Sequence, residues 1–495
     1  MLYKRISLSL LFLFLLFNGA TAQSFIGSQS NYAGSNALRM NPASMTTSNL
    51  YFDVSLFQFG VMAYNDYAYL MSKDVMKMAL TLGEYVPSYD VNGLKKDFLV
   101  YDQYGHRSRN LYESLDLNIL NMMYDIDGRQ AVGFSFNTRV YTNAKNIPWE
   151  IPVICINGTD DPTLYERYQS KDAKVATMEW AEVALSYSNT VYERYNHKFD
   201  VGVTAKYLIG YSAAVANVNE LDYNIIGDED VNVNVNLIDM DVAYALPLNY
   251  DEPFTSDNLF NDDVQRGGGF ATDLGFFYTR KSDSKTLRKS RGNYNISKVD
   301  YIWRVGASLM DVGFINFSDN ALEHHFFADN NMKFDVDGLN NVKTMNELSS
   351  FISANYYNGN STKSLVGNSF LVGLPTTLRV QFDYNMYRNF FVNATLIQPV
   401  RLFKYSVMAA PRVMIEPRYE SEYFDFALPV SLYDYEFIHI GASFRLAYLT
   451  VGTENIANYL GLGKMRGMDL YVSLKFNLSK ASKMANRRDA CWTAF

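Results

Sequence analysis

Cysteine is almost absent: the 495 residues include two, Cys155 and Cys491, far apart in sequence. Two cysteines build no disulfide framework, so the fold must rest on other forces. Tryptophan (4), proline (12) and histidine (5) are also scarce. The five histidines stand in no recognisable serine or cysteine hydrolase context, and no His/Cys set has metal-ligand spacing. No enzyme activity, metal or cofactor is therefore expected. Beyond residue 22 no apolar run reaches the roughly 20 residues that a spanning helix needs. Lys and Arg (44) are outnumbered by Asp and Glu (52), which argues against nucleic acid as a partner, because binding there depends on neutralising phosphates.

The N-terminus carries the clearest local signal. Lys4 and Arg5 precede an apolar stretch from Ile6 to Phe17, which breaks at Asn18-Gly19, and Ala20-Thr21-Ala22 supplies a small-residue cleavage site. Residues 1–22 are expected to be an export signal cut between Ala22 and Gln23. Its removal takes away two basic residues and no acids, lowering the net charge from −8 to −10.

The rest of the chain is dominated by alternation. In Phe199–Ile209, Phe199, Val201, Val203, Ala205, Tyr207 and Ile209 share one face of a strand, and Asp200, Gly202, Thr204 and Lys206 the other. Asp127-Gly128 joins two such runs, 111–126 and 130–141, as a hairpin. Further strands are expected at 50–70, 175–189, 229–245, 268–280, 299–310, 376–387, 389–400, 410–420, 422–431, 436–450 and 468–478, and a short helix at 72–82. A soluble sandwich does not put charge at every second position of so many strands. An all-β fold, a transmembrane antiparallel β-barrel of about 14 strands, does, because one face of each strand meets lipid and the other a polar interior. The mean hydropathy of −0.15 hides this signal, whereas Tyr (38) and Phe (33) suit interfacial girdles. The domain reading is 1–22 signal, 23–49 a Gly/Ser/Asn-rich leader, 50–478 barrel and 479–495 a short basic tail. Long segments then fall at both ends of the barrel, a conflict with the usual rule that one end has short turns.

Four short stretches carry a resemblance: Asn41-Pro42-Ala43 in the leader, Gly267–Gly275, Ala307–Gly313 and Val451–Asn455. The pattern resembles uncharacterised outer-membrane β-barrels of the Bacteroidota, distantly similar to the long-chain fatty-acid transporter FadL and to PorV of the type IX secretion system. The resemblance implies outer-membrane localisation, and that 23–49 folds into the lumen as a plug with Asn41, Pro42 and Ala43 at its corner. It further implies either passive transport or binding of small hydrophobic molecules, or a non-enzymatic docking role with secretion or surface-assembly partners.

Other motifs dissolve on inspection. Gly267-Gly268-Gly269 opens a strand and lacks the lysine and helix of a phosphate loop. Glu323-His324-His325 puts its histidines on opposite faces of an extended chain, and Asp160-Asp161 and Asp228-Glu229-Asp230 read as solvated turns. What remains is a set of charges at inward-type positions: Arg139, Glu182, Asp200, Lys206, Arg304, Arg379, Asp383 and Arg445, with Asp273 and Lys475 beside them. They form either salt-bridge ladders that stiffen the interior or a polar lining that meets a ligand.

Overall fold

The computed structural model describes residues 28–72, 107–152, 165–227, 231–255, 265–282, 301–329, 332–334 and 341–479, with short stretches between 74 and 101 and at 258 and 338. The expected export signal with its Ala22–Gln23 cleavage point, both cysteines, Asp160-Asp161, Asp228–Asp230 and the tail beyond 479 lie outside the described residues. Of the expected 72–82 helix, Ser72, Asp74 and Lys77 are described, and each is helical.

Alternating residues give long strands, and the strands close on themselves. In chain order the wall comprises β1 (Leu50–Asn65), β2 (Arg109–Asp125), β3 (Gln130–Ile147), β4 (Arg167–Arg194), β5 (His197–Gly227), β6 (Val231–Ala245), β7 (Gly267–Lys281), β8 (Tyr301–Phe317), β9 (Ala321–Ala328), β10 (Phe370–Gly373), β11 (Thr377–Tyr387), β12 (Phe390–Pro399), β13 (Arg412–Glu420), β14 (Phe424–Ala427), β15 (Val430–Tyr433), β16 (Phe437–Ile440), β17 (Ala442–Leu446), β18 (Leu449–Thr453) and β19 (Gly467–Ser479). Wall neighbours pair antiparallel, and β19 returns to β1 from Leu50↔Ser479 to Tyr64↔Gly467. Interrupted strands share a place in the ring: β6 with β7, β8 with β9, β10 with β11, β14 with β15 and β16 with β17. The result is a closed barrel of 14 strands.

Two sequence expectations change, and their effects on the count cancel. The 229–245 and 268–280 segments are not separate crossings. β5, at 31 residues, is far longer than one crossing, so its lower half (197–210) pairs with β7 and its upper half (213–227) with β6, end to end. The 436–450 segment, in turn, folds back at Ala447, where φ is 49°, and gives β16/β17 and then β18. The correction eases the loop conflict and leaves one long connection, 282–300, at the end that holds the short turns, because the Lys281 N–H bonds the Asn196 carbonyl there. Turns 126–129, 195–196, 388–389, 421–423 and 447–448 share one end of the barrel, whereas 66–108, 148–166, 335–369, 400–411 and 454–466 share the other. Gly128 takes φ 85° in the first of these turns, as the Asp-Gly pair requires.

The two faces follow the alternation. Val203 is 42% exposed and lies between Tyr187 and Leu274 on adjacent strands, also exposed, while Asp200, Thr204 and Lys206 are buried. Exposed apolar residues recur round the ring, among them Phe270, Ile302, Phe382, Ile415, Phe444 and Leu470. Beside the short turns stand exposed Tyr124, Tyr195, Tyr387, Tyr423 and Tyr448, an aromatic girdle of the kind found at a membrane interface. Above Gly210 the parity of β5 flips, because Tyr211 is an extra residue between Gly210↔Trp180 and Ser212↔Glu179. From there Ala213 and Val215 point inward and join Met178, Trp180, Leu208, Ile315 and Phe317 in an apolar core. The half of the lumen nearer the long loops is therefore filled.

Replacing Val203 with Arg sets a charge on the exposed apolar face, which costs about 2–4 kcal/mol if that face meets lipid. The fraction of protein that migrates faster unheated than boiled should fall for V203R and stay unchanged for V203A. Equal folded fractions for the two variants would place this face away from lipid.

Candidate functional site: the charged lumen and the leader

Inward-type positions collect charge, and burial forces those charges to find partners. Arg139 on β3 reaches Asp116 on β2 (3.1 Å), Glu182 on β4 (3.3 Å) and both carboxylate oxygens of Asp311 on β8 (2.9 and 3.1 Å). Lys206 on β5 bonds Asp311 (2.6 Å) and Asp273 on β7 (2.9 Å). Glu182 also accepts from Asn137 (2.9 Å) and from the Trp180 indole (3.3 Å). These side chains form one belt inside the wall.

The other expected residues fall elsewhere. Arg304 and Arg418 converge on Asp383 (3.0 and 2.9 Å), and Arg418 continues to Glu420. Arg445 clasps Asp425 with two hydrogen bonds (2.6 and 2.7 Å). Asp200 stays local, bonded to Thr190 (2.6 Å) and paired with Lys198 (3.0 Å). Arg379 turns to the main chain, donating to the Arg39 carbonyl, and its Nε bonds Thr377 (2.9 Å). The expected set is thus several networks rather than one site. Asp116, Asp311, Arg418 and Glu420 were missing from it. The first and the last two are legible from alternation, whereas Asp311 is not: its odd position on β8 reads as outward. A bulge on β8 itself, where Met310 and Asp311 together face the single residue Asp273 of β7 and Asp311 takes φ 58°, swings the carboxylate inward. Asp273 accepts the Asp311 N–H (2.6 Å), and Thr376 donates to its carbonyl (2.7 Å).

The leader residues from Ser28 to Ser48 are mostly buried and meet the inner wall throughout. They form a 3₁₀ turn, Gly34–Arg39, and a single helical turn, Ser44–Thr47. Pro42 fixes its own φ and restricts Asn41, so the corner has one shape. Asn41 Oδ1 accepts from the Ala43 N–H (3.0 Å), and its Nδ2 donates to the Phe276 and Ala307 carbonyls (3.1 and 3.3 Å). The wall makes room with glycine. A Cβ on Gly275 would lie 2.1 Å from Asn41 Oδ1, and one on Gly202 would lie 2.4 Å from the Pro42 carbonyl carbon and from the Ala43 nitrogen. Arg39 pairs with Asp116 (2.7 Å), which links leader and belt.

Two clefts border these elements. One lies between the leader and Phe277, Arg304 and Gln381; the other lies beyond the belt among Met62, Tyr112, Tyr141, Ile397, Met408 and Tyr433. They enclose about 320 and 310 Å³ counted to their open mouths, but room for only about one water molecule each. Segment 400–411 covers the second cleft, tied down by Asn143 to the Met408 N–H (2.7 Å) and by Asn217 to the Lys404 carbonyl (3.0 Å). At the rim, Tyr64 and Tyr433 rings lie 4.7 Å apart, and Asp434 accepts from Asn110 (2.9 Å); burial raises the Asp434 carboxyl above the usual carboxylate range. Among the described residues no His, Cys, Asp and Glu set is grouped to hold a metal ion.

Removing Asp311 takes the shared partner from two buried cations, leaving Arg139 to Asp116 and Glu182 and Lys206 to Asp273. D311A should lower barrel stability by about 1.5–3 kcal/mol, whereas D311N, which tolerates positive φ and keeps hydrogen bonds, should cost less. The temperature at which the fast-migrating gel band disappears measures both; a smaller loss for D311A than for D311N would contradict the network.

Several solved barrels are similar to this chain. The toluene transporter TodX of P. putida has 10% sequence identity, covering 90% of this chain and 95% of that one, at a TM-score of 0.37. A Pseudomonas aeruginosa FadL homologue has 10% identity, covering 91% and 94%, at 0.27. The translocator domain of the autotransporter NalP from Neisseria meningitidis has 6% identity, covering 86% and 88%, at 0.29. Likenesses this distant bear on neither substrate nor mechanism. No curated protein matches the chain. A family model does match, over residues 42–454, and the chain belongs to that family, the Family of unknown function (DUF5723).

Proposed function

We propose that this protein is an outer-membrane barrel, exported by a signal cleaved between Ala22 and Gln23, whose leader is a hatch over a conduit for small hydrophobic molecules. The continuous outward apolar surface, with an aromatic girdle at the short-turn end, supports the membrane, and even-numbered barrels carry their short turns on the periplasmic side. One observation carries the hatch: beside a small apolar patch of Leu38, Met40 and Met45, the leader is held by hydrogen bonds to polar wall groups, contacts that water can replace when it moves. The upper cleft, lined by Tyr112, Tyr141, Ile397 and Tyr433 with Glu113 and Arg412 among them, has room for about one water, so a hydrophobic solute passes there only when segment 400–411 shifts. A second reading, a docking barrel for secretion or surface assembly, is favoured by the filled upper lumen. A non-enzymatic role fits both.

The experiment locks the leader. Asn36 Nδ2 lies 3.0 Å from Ser473 Oγ, so N36C with S473C places two thiols in reach. Cells carrying the wild-type protein should take up a hydrophobic fluorescent probe faster than cells without it, and the oxidised pair should abolish the gain until reductant is added. Uptake equal with and without the protein would remove the conduit and leave the docking reading. Mature protein that does not begin at Gln23 would remove the cleavage assignment.

A further inference from the structure

Inner-wall side chains address the leader in an unusual way: they bind its main chain. Lys475 donates to the carbonyls of Tyr32 and Ala33 (2.9 Å for the latter), Arg304 to that of Gln29 (3.3 Å), Arg379 to that of Arg39, and Lys198 to that of Thr46 (2.9 Å). The Ser308 hydroxyl donates to the Met40 carbonyl (2.6 Å). In the reverse sense, Glu420 accepts the Asn31 N–H (3.1 Å) and Asp53 the Ser35 N–H (2.8 Å). Four buried cations and two buried carboxylates thus bind peptide groups spread from residue 29 to residue 46. Charge-assisted bonds of this kind are about twice as strong as neutral ones, and peptide groups are the same in every sequence.

Side-chain contacts add a few small polar residues and one apolar patch, in which Leu38 and Met45 pack with Met123 and Ala131, and Met40 with Ile397. Asn31 donates to Glu420 and Tyr301, Asn36 to Tyr471 and Ser473, Ser30 to Asp425, and Thr46 meets Ser188. Glycine is demanded at residue 34, where φ is 58° and a Cβ would meet the Asp53 carboxylate at 2.5 Å.

We propose that the lower lumen is a receptor for polypeptide main chain, with the leader as its tethered ligand, and that a Gly/Ser/Asn-rich, uncharged peptide from another molecule binds in the leader's place. The ligand class is thus an extended or loosely turned polypeptide rather than a hydrocarbon. The claim is independent of the conduit, since it concerns the wall that faces residues 28–48 and not the upper cleft.

Arg39, the single Lys or Arg between residues 23 and 49, reports whether the leader is seated. Buried against Asp116, it is shielded from trypsin; displaced, it is cut. The tether gives the resident leader an effective concentration in the millimolar range, so the test uses the full chain with N36A, which weakens the leader and leaves the wall intact. Synthetic peptides covering 28–48, with Arg39→Gln so that trypsin spares them, are added at 1 mM to the protein in detergent, and the mass of the N-terminal fragment is followed. The native-sequence peptide should speed the cut at Arg39 at least tenfold. A reordered peptide that keeps Asn31, Gly34, Asn36, Leu38, Met40, Asn41 and Met45 should come within threefold of it, and N-methylation at the Asn31 and Ser35 positions should remove most of the effect. Acceleration by the native sequence alone would make the interaction a side-chain lock and overturn the proposal. No acceleration by either peptide would also overturn it.

Discussion

A charge buried inside a barrel must be matched where it stands, and most of this molecule's interior follows from that requirement. Arg139, Lys206, Arg304, Arg418, Arg445 and Lys475 project inward from strands that are paired on both sides and apolar on the opposite face, so the strands cannot rotate to release them to water. Their partners have to come from other strands or from the chain itself. The belt shows the first solution: Asp116, Glu182, Asp273 and Asp311, from four strands, surround two cations. The leader shows the second, in which carbonyl oxygens of a segment with almost no charge of its own answer Lys475, Arg379 and Lys198.

The Asp311 bulge shows how far the wall bends to meet the requirement. Left-handed backbone costs a non-glycine residue about 1–2 kcal/mol, less for aspartate than for most. In return one carboxylate serves two cations that lie on strands three and five places away along the chain order of the wall. Wall hydrogen bonding continues on both sides of the interruption, with Thr376 and Asp273 taking up the polar groups that the bulge frees. A single residue out of register thereby decides the contents of the lumen.

How much of this was legible in the sequence depends on the range of the interaction involved. Alternation at Phe199–Ile209 agrees with the buried and exposed faces of β5 as far as Gly210, where a period of two suffices; above it the extra residue Tyr211 reverses them. Strand number came out at 14 through two opposite errors. Whether 229–245 and 268–280 lie side by side or end to end depends on the length of their partner β5, and the turn at Ala447-Tyr448 carries neither glycine nor proline to announce it. The candidate site divides the same way. Arg139, Glu182, Lys206, Arg304, Arg379, Asp383, Asp200 and Arg445 are all buried, as inward positions must be, but their grouping into separate networks is a property of the closed ring. Asp311 was hidden because β8 carries one extra residue there against β7, a register shift that no local pattern records.

The asymmetry of the wall follows from the same economy of polar groups. Beyond the bulge at Tyr211 the inner face of β3 to β8 turns from charged to apolar, and Met178, Trp180, Leu208, Ile315 and Phe317 pack together with Val372 and Val407. Apolar residues facing an open lumen would meet water; facing one another they do not, so this half of the barrel closes as a soluble core closes. The other half, lined by cations, cannot collapse without stranding them and therefore admits a polar segment. One barrel thus contains two kinds of interior, divided at the belt. The division places the leader against the charged half, where its carbonyls answer Lys475, Arg304 and Arg379 and its Asn and Ser side chains meet Tyr301, Glu420, Tyr471, Ser473 and Asp425, polar wall groups that an apolar side chain would leave unanswered.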